Sequence, residues 1–460
     1  MNEDKSQLGT QPVGRLLVKM AAPAVVAQLI NMLYNLVDRI YIGHIPGEGA
    51  YALTGMGVCM PVIMIVSAFA MLAGAGGAPR AAIAMGRGDN KSAEQALGNC
   101  FCLLLIVSAV LTGVLLVFNR PILMAFGATE NTIGYAIAYM DIYALGTVFV
   151  QLTLGMNSFI IAQSFSKTGM LSVLIGAVCN IVLDPIFIFG FSMGVRGAAL
   201  ATVLSQAVSC AWVVSFLLGK RTIWRIRPRN MVLRPAVILP CVALGLATFI
   251  MQASESVISV CFNTSLREYG GDLAVGAMTI LTSVMQFALL PLQGLGQGAQ
   301  PIVSFNYGAG NAARVKKAYF LLLRTSLTYS VVLWAFLMLF PQTFAGVFTS
   351  DQQLITFAVP AIRCYCAVLL VFGAQIACQM TFTSLGYAKA SIAVAVTRKF
   401  VLLVPLIYLM PRLFPADKTM AVYMAEPVAD ALAVTFTVIL FSFQFRKALR
   451  QIGVPKEQAK

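Results

Sequence analysis

Charge is what this sequence has least of. Only 11% of its 460 residues are Asp, Glu, Lys or Arg, less than half the roughly 25% of a typical soluble domain. Acids are scarcer than bases, 17 against 32, and histidine occurs once, at position 44. With 59% hydrophobic residues and a mean hydropathy of +0.85, the composition excludes a soluble enzyme and points to a chain that crosses a membrane several times. A net charge of +15 would suggest nucleic acid on a soluble chain. Here it is read through the placement of Lys and Arg about the membrane, and no nucleic-acid partner is expected. The ten cysteines contain no CxxC pair and sit almost entirely in apolar runs, so they read as small packing residues rather than metal ligands or disulfides. No P-loop pattern occurs, so ATP does not drive the chain directly. Neither enzymatic activity nor a cofactor is expected. No cleavable leader is expected either, since residues 1–14 are polar and the first apolar run is too long.

What the sequence has is apolar runs. Twelve are long enough to span a bilayer core of roughly 30 Å, at about 15–43, 52–79, 94–118, 134–160, 166–189, 197–218, 235–262, 273–303, 315–340, 354–380, 388–410 and 421–445. Turn residues mark the breaks, as in "GRGDN" (86–90), "YGGD" (269–272) and "NYGAGN" (306–311). Basic residues crowd alternate connections: Arg80, Arg87 and Lys91; Lys167; six between Lys220 and Arg234; Arg314, Lys316 and Lys317; Lys389; and the tail from Arg446 to Lys460. That bias predicts that both termini and the 219–234 loop are cytoplasmic.

The chain also repeats itself. One fixed, ungapped shift lays Gly74, Gly76, Pro79, Gly86 and Gly88 over Gly296, Gly298, Pro301, Gly308 and Gly310, and Tyr143 over Tyr365. Six spans per half start both halves on the same side, which makes them parallel repeats. The expected fold is all-α: twelve transmembrane helices in two pseudo-symmetric six-helix lobes around a central cavity. The expected division is a tail 1–14, a first lobe 15–218, a basic interlobe loop 219–234, a second lobe 235–446 and a tail 447–460. Such a pair of lobes is the build of an alternating-access transporter rather than a channel, which more often closes a ring of identical subunits.

Acids inside spans are functional candidates, because their desolvation must be offset by a partner, a proton or an ion. In span 1, Asn31, Asn35 and Asp38 follow the i, i+4, i+7 spacing of one helical face, and Arg39 turns away toward the outer interface. In span 5, Asn180 and Asp184 share a face, and Pro185 removes a backbone donor. In span 6, Ala198, Thr202, Gln206 and Ser209 share another. Together these offer hard oxygen ligands for Na⁺ or a carboxylate for a proton; hydrogen-bonded packing between helices is the plainer alternative. In span 7, Gln252 and Glu255 share a face, and Glu255 has no partner in its own helix. It binds a proton, an ion or a cationic substrate, or it pairs with Arg398 or Lys399 of span 11. Asp141 and Asp430 read as shallower, nearer helix ends. The glycines shared by spans 2 and 8 suit bending or close packing near the lobe interface.

The runs "PAVVAQLINMLYNLVDRIYIGH", "GAGGAPRAAIAMGRGD", "NIVLDPIFIF", "GVRGAALATVLSQ" and "PIVSFNYGAGN" together resemble the bacterial multidrug and toxic compound extrusion (MATE) family, in particular its Gram-positive-type drug exporters, over essentially the whole chain. The resemblance implies a plasma-membrane antiporter, here expected to be monomeric and contacting only lipid and small molecules. It would export amphipathic organic cations in exchange for Na⁺ or H⁺. It implies a first-lobe cation site at Asp38, Asn180, Asp184, Thr202 and, through its carbonyl, Ala198, and a second-lobe acid at Glu255 with Tyr365 nearby; helical spacing adds Asn31, Asn35 and Gln206 in support of the first and Gln252 beside the second. One departure stands out: some relatives carry a second acid four residues after a tyrosine, where this chain has Leu369 after Tyr365. That favours a proton or substrate over Na⁺ at Glu255. A flippase for lipid-linked precursors is the alternative of similar architecture, and a channel or receptor is a more distant one.

Overall fold

The computed structural model describes residues 3–349 and 351–453. Lys456 and Lys460, counted above in the basic tail, lie outside the described residues. Every regular element among them is helical, as a bilayer demands of any open segment that must satisfy its own backbone polar groups. A short α1 (Glu3–Thr10) leads into α2 (Val13–Gly43), α3 (Gly49–Gly86), α4 (Asn90–Ala125), α5 (Ile133–Leu145), α6 (Thr147–Ala162), α7 (Ser166–Pro185) and α8 (Val195–Leu218). Then follow α9 (Pro235–Gly308), α10 (Ala312–Leu339), α11 (Pro341–Phe348), α12 (Gln352–Tyr365), α13 (Leu369–Ser384), α14 (Ala388–Val396), α15 (Val404–Leu413) and α16 (Lys418–Gly453).

Nine of these helical stretches, among the described residues, are long and apolar enough to cross a membrane. The expected continuous spans 134–160 and 354–380 are instead bent pairs, α5 with α6 at 58° and α12 with α13 at 51°. At 74 residues and about 1.5 Å per residue, α9 is far longer than one bilayer crossing. It breaks at Gly271, whose φ of 63° and ψ of −160° suit only glycine. Counting each bent pair as one span and α9 as two gives the twelve crossings of a two-lobe membrane fold. The repeat survives in local chemistry as well. Asp89 caps α4 by accepting from the Ser92 N–H, and at the matching place in the second repeat Asn311 caps α10 by accepting from the Arg314 N–H.

Where the core sits decides the shape. Ile42, Met56, Tyr139 and Ala198 belong to a core confined to the first lobe, and Phe262, Leu281, Phe372 and Tyr423 to one confined to the second. A third core joins residues of both, including Leu16, Phe159, Trp224, Cys241, Ile302 and Phe382. It lies at the end of the bundle where the 219–234 linker, α1 and the end of α16 gather, here called the linker face. The lobes are thus packed together at the linker face, and toward the opposite face each keeps a core of its own.

Small residues make that closure possible. Gly86 abuts the Phe305 carbonyl and Gly308 abuts the Ile83 carbonyl, so any Cβ at either position would overlap backbone. Ile83 and Phe305 are themselves matched by the repeat, as Gly86 and Gly308 are, so the ends of α3 and α9 cross with its symmetry. The expectation that the shared glycines serve the lobe interface is met here.

The linker is also ordered rather than merely basic. The Gln163 Oε1 accepts from the Ile223 N–H at 2.7 Å, the Trp224 N–H at 2.9 Å and the Thr222 hydroxyl at 2.9 Å. Arg227 pairs with Glu94 at 3.2 Å, and the Arg234 N–H donates to Asn99 Oδ1 at 2.7 Å. At the N-terminus, Arg314 donates to the Leu8 carbonyl at 2.9 Å and the Gln11 carbonyl at 2.7 Å, and Asn306 donates to Leu8 at 2.9 Å. The segment leading into the first lobe is therefore fastened to the second.

Candidate functional site

Helix α2 runs beside α7, and their polar faces meet. Asp38, Asn180 and Asp184 are all buried, with exposures of 4%, 2% and 0%. The Asn180 amide donates to Asp184 Oδ1 at 3.3 Å, as the i, i+4 spacing requires. The Asp38 and Asp184 carboxyls lie within hydrogen-bond reach of one another. Three oxygens, Asp38 Oδ1, Asp184 Oδ2 and Asn180 Oδ1, are buried without a hydrogen-bond donor. Two carboxylates in contact and out of water cannot both stay charged without a cation or a proton between them. The chemistry of this donor set therefore suits a hard monovalent cation or a proton.

Local sequence explains the placement. Pro185 follows Asp184 directly, lacks an N–H and ends the α-helical hydrogen-bond ladder; a π-helical turn, Ile186–Gly190, takes over. Such turns recur at functional sites because they re-aim side chains.

Thr202 joins the site indirectly. Its hydroxyl is within hydrogen-bond reach of the Tyr139 hydroxyl, and Tyr139 is buried close to Asp38. Tyr143 stacks on Tyr139 with centroids 6.2 Å apart, and Tyr34 lies beside Asp38. Ala198 is fully buried one turn before Thr202 in α8. Asn31 and Asn35 are half-buried, but the Asn35 amide donates to the Asn31 carbonyl at 2.7 Å, within its own helix. Gln206 is half-buried, its backbone carbonyl accepts from Thr153, and its side-chain oxygen has no donor. Sequence reasoning missed Tyr34 and Tyr139. The i, i+4, i+8 stripe of Tyr135, Tyr139 and Tyr143 was the signal that could have found the latter.

The second lobe differs from expectation. Glu255, without a partner in its own helix, is met from outside it: Lys399 Nζ donates to it at 2.6 Å, one of the two pairings the sequence offered. Asp430, expected to be shallow, is buried and accepts from Arg398 at 2.7 Å. Glu426, which sequence reasoning did not single out, accepts from Arg398 at 3.2 Å. Its signal was the i, i+4 pair in "AEPVAD". Arg398 also lies 4.8 Å from the Phe372 ring centroid. Both bases occupy a π-helical turn, Thr397–Leu403. Tyr365 is buried, edge-on to Phe262 with centroids 6.0 Å apart. Gln252 is exposed and Leu369 opens α13.

Known proteins are similar to this chain over most of its length. The curated relatives include the multidrug export protein MepA of Staphylococcus haemolyticus, 22% identical over 91% of this chain and 92% of its own length. MepA of Staphylococcus aureus is 22% identical over 88% of each. Among solved structures, a MATE transporter in a bent conformation superposes with a TM-score of 0.91 at 22% identity, covering 98% of this chain and 99% of its own. An outward-facing MATE transporter of the MOP superfamily gives 0.89 at 23%, covering 96% and 98%. The MatE family model matches twice, over residues 23–186 and 247–409, once in each repeat. This chain, a transporter and not an enzyme, belongs to the MatE family.

Proposed function

We propose that this chain is a cation-coupled multidrug efflux antiporter that exports amphipathic organic cations by alternating access. The observation that carries the reading is the contact between the Asp38 and Asp184 carboxyls, with Asn180 beside them and three buried oxygens undonated. Na⁺ or H⁺ bound there cancels one of the pair's two negative charges and so removes their mutual repulsion; its release restores that repulsion, which favours the other lobe arrangement. Asp38, Asn180 and Asp184 form the ion shell, with Thr202, the Ala198 carbonyl, Asn31, Asn35 and Gln206 in outer positions. The coupling ion is the only cofactor required. The lobes are taken as residues 15–218 and 235–446, joined by 219–234.

The basic residues of the linker face support reading it as the cytoplasmic face of a bacterial plasma membrane. On that reading, the closure of the lobes at that face corresponds to an outward-open state. The multidrug relatives support the substrate class, and the chain works as a monomer. A lipid-precursor flippase would need unpaired basic residues in its cavity for a pyrophosphate. Arg398 and Lys399 are instead held by Glu426, Asp430 and Glu255, which disfavours that reading.

The test is dye efflux from proteoliposomes under sodium and proton gradients imposed separately. Uphill efflux follows one of the two gradients in the wild type and is lost in Asp38→Asn and in Asp184→Asn. Gradient-driven efflux undiminished in both variants sinks the assignment.

A further inference from the structure

At one place the second lobe gathers more acids than bases, and a buried base there, Arg398, faces two acids. Five ionisable side chains form one cluster there: Glu255 with Lys399, and Arg398 with both Glu426 and Asp430. Three acids face two bases, which leaves one negative charge in excess. Glu426, Asp430, Arg398 and Lys399 are each 5% exposed or less. Arg398 engages Glu426 Oε1 and Asp430 Oδ1, while Glu426 Oε2 is buried with no hydrogen-bond partner. An uncompensated charge in a membrane interior is costly enough that such groups bind a counter-ion or neutralise.

We propose that the second lobe holds a proton of its own on Glu426, at a site separate from the Asp38–Asp184 pair. Every ionisable group near Glu426 enters the balance. Asp430 lies one turn on in α16, Arg398 and Lys399 come from the π-helical turn, Glu255 from α9, and Tyr365 and Cys366 from the end of α12. Tyr and Cys are neutral when protonated, so they do not offset the excess. One proton joining the Glu426 carboxylate gives a neutral carboxylic acid, and the cluster then carries two negative and two positive charges. A metal cation is a poor alternative. It needs several oxygens, and Arg398 already holds one from each acid and repels a second cation.

The Glu255 side chain is half-exposed, although protein surrounds it. It is thus the one member of the cluster that reaches the molecular surface. As a coupling site this proton rests on the antiport reading above; its presence does not.

The test reads the proton directly. The full chain carrying Asp38→Asn and Asp184→Asn, which silence the first lobe, is reconstituted without substrate or gradient. Its infrared carboxylic-acid carbonyl band is recorded at neutral pH. The expected result is one buried acid, lost on adding Glu426→Gln and lost on adding Asp430→Asn, because either change balances the charge. A band that is absent at the outset, or that persists in both variants, overturns the proposal. Should Glu426→Gln fail to fold, Glu426→Asp moves the band if Glu426 carries the proton; an unmoved band overturns it. Neither result depends on transport, so failure here is distinct from failure of the antiport reading.

Discussion

At the scale of single residues, the ion site proposed above divides into groups that would touch the ion and groups that would hold them. Tyr139 is of the second kind: its hydroxyl meets Thr202 and its ring stacks on Tyr143. Tyr139→Phe keeps the ring and removes the hydroxyl, leaving Thr202 without that partner. A lost hydrogen bond of this sort costs about 1 kcal/mol, so the concentration of coupling ion giving half-maximal efflux rises about fivefold, with the maximal rate little changed. Proteoliposome efflux against ion concentration reads both quantities. A collapsed maximal rate at unchanged half-saturation would place the hydroxyl in the transport step instead. Asp38, Asn180 and Asp184 were legible in the sequence because an acid in an apolar helix is costly and its helical face is countable. The partner of Glu255 was not: α9 and the π-helical turn are far apart in the chain, and no periodicity reports which of two adjacent bases faces an acid. Glu426 escaped because its pairing with Arg398 is a tertiary fact that its own helix does not report.

At the scale of elements, the crossing of α3 and α9 is the most exacting contact in the molecule. Gly86 and Gly308 each lie against a backbone carbonyl of the other helix, and backbone cannot rotate aside as a side chain can. Gly86→Val or Gly308→Val therefore forces the lobes apart at the linker face. Cysteines placed along the facing surfaces of α3 and α9 should then react with a membrane-impermeant thiol reagent from the linker side, where the wild type is protected. Protection equal to wild type would mean that the crossing yields without opening. The sequence announced these glycines through the repeat, and span number and type were legible from hydropathy. The bends within the fourth and tenth spans were not, since each interrupts an apolar run that carries no proline at the break.

At the scale of the whole molecule, Cys100 of α4 and Cys241 of α9 meet across the lobe interface within hydrogen-bond reach. Mild oxidation should join them, locking the linker face shut and stopping dye efflux until a reductant is added. Thiol titration should register the loss of two free thiols, and Cys100→Ser should keep its efflux under the same oxidant. Inhibition that persists in Cys100→Ser would place the sensitive thiol elsewhere.

The two fastened segments carry a further consequence. The linker is anchored on the first lobe as far as Arg234, and α9 begins at the next residue. The N-terminal segment is anchored on the second lobe as far as Gln11, and α2 begins two residues later. Pro12 and Arg234 occupy corresponding places in the repeat, and both have extended backbones. Neither joint has spare chain. The lobes are consequently not beads on a loose string: any motion that parts them turns on two single-residue pivots, Pro12 and Arg234, or else first tears a segment from its dock.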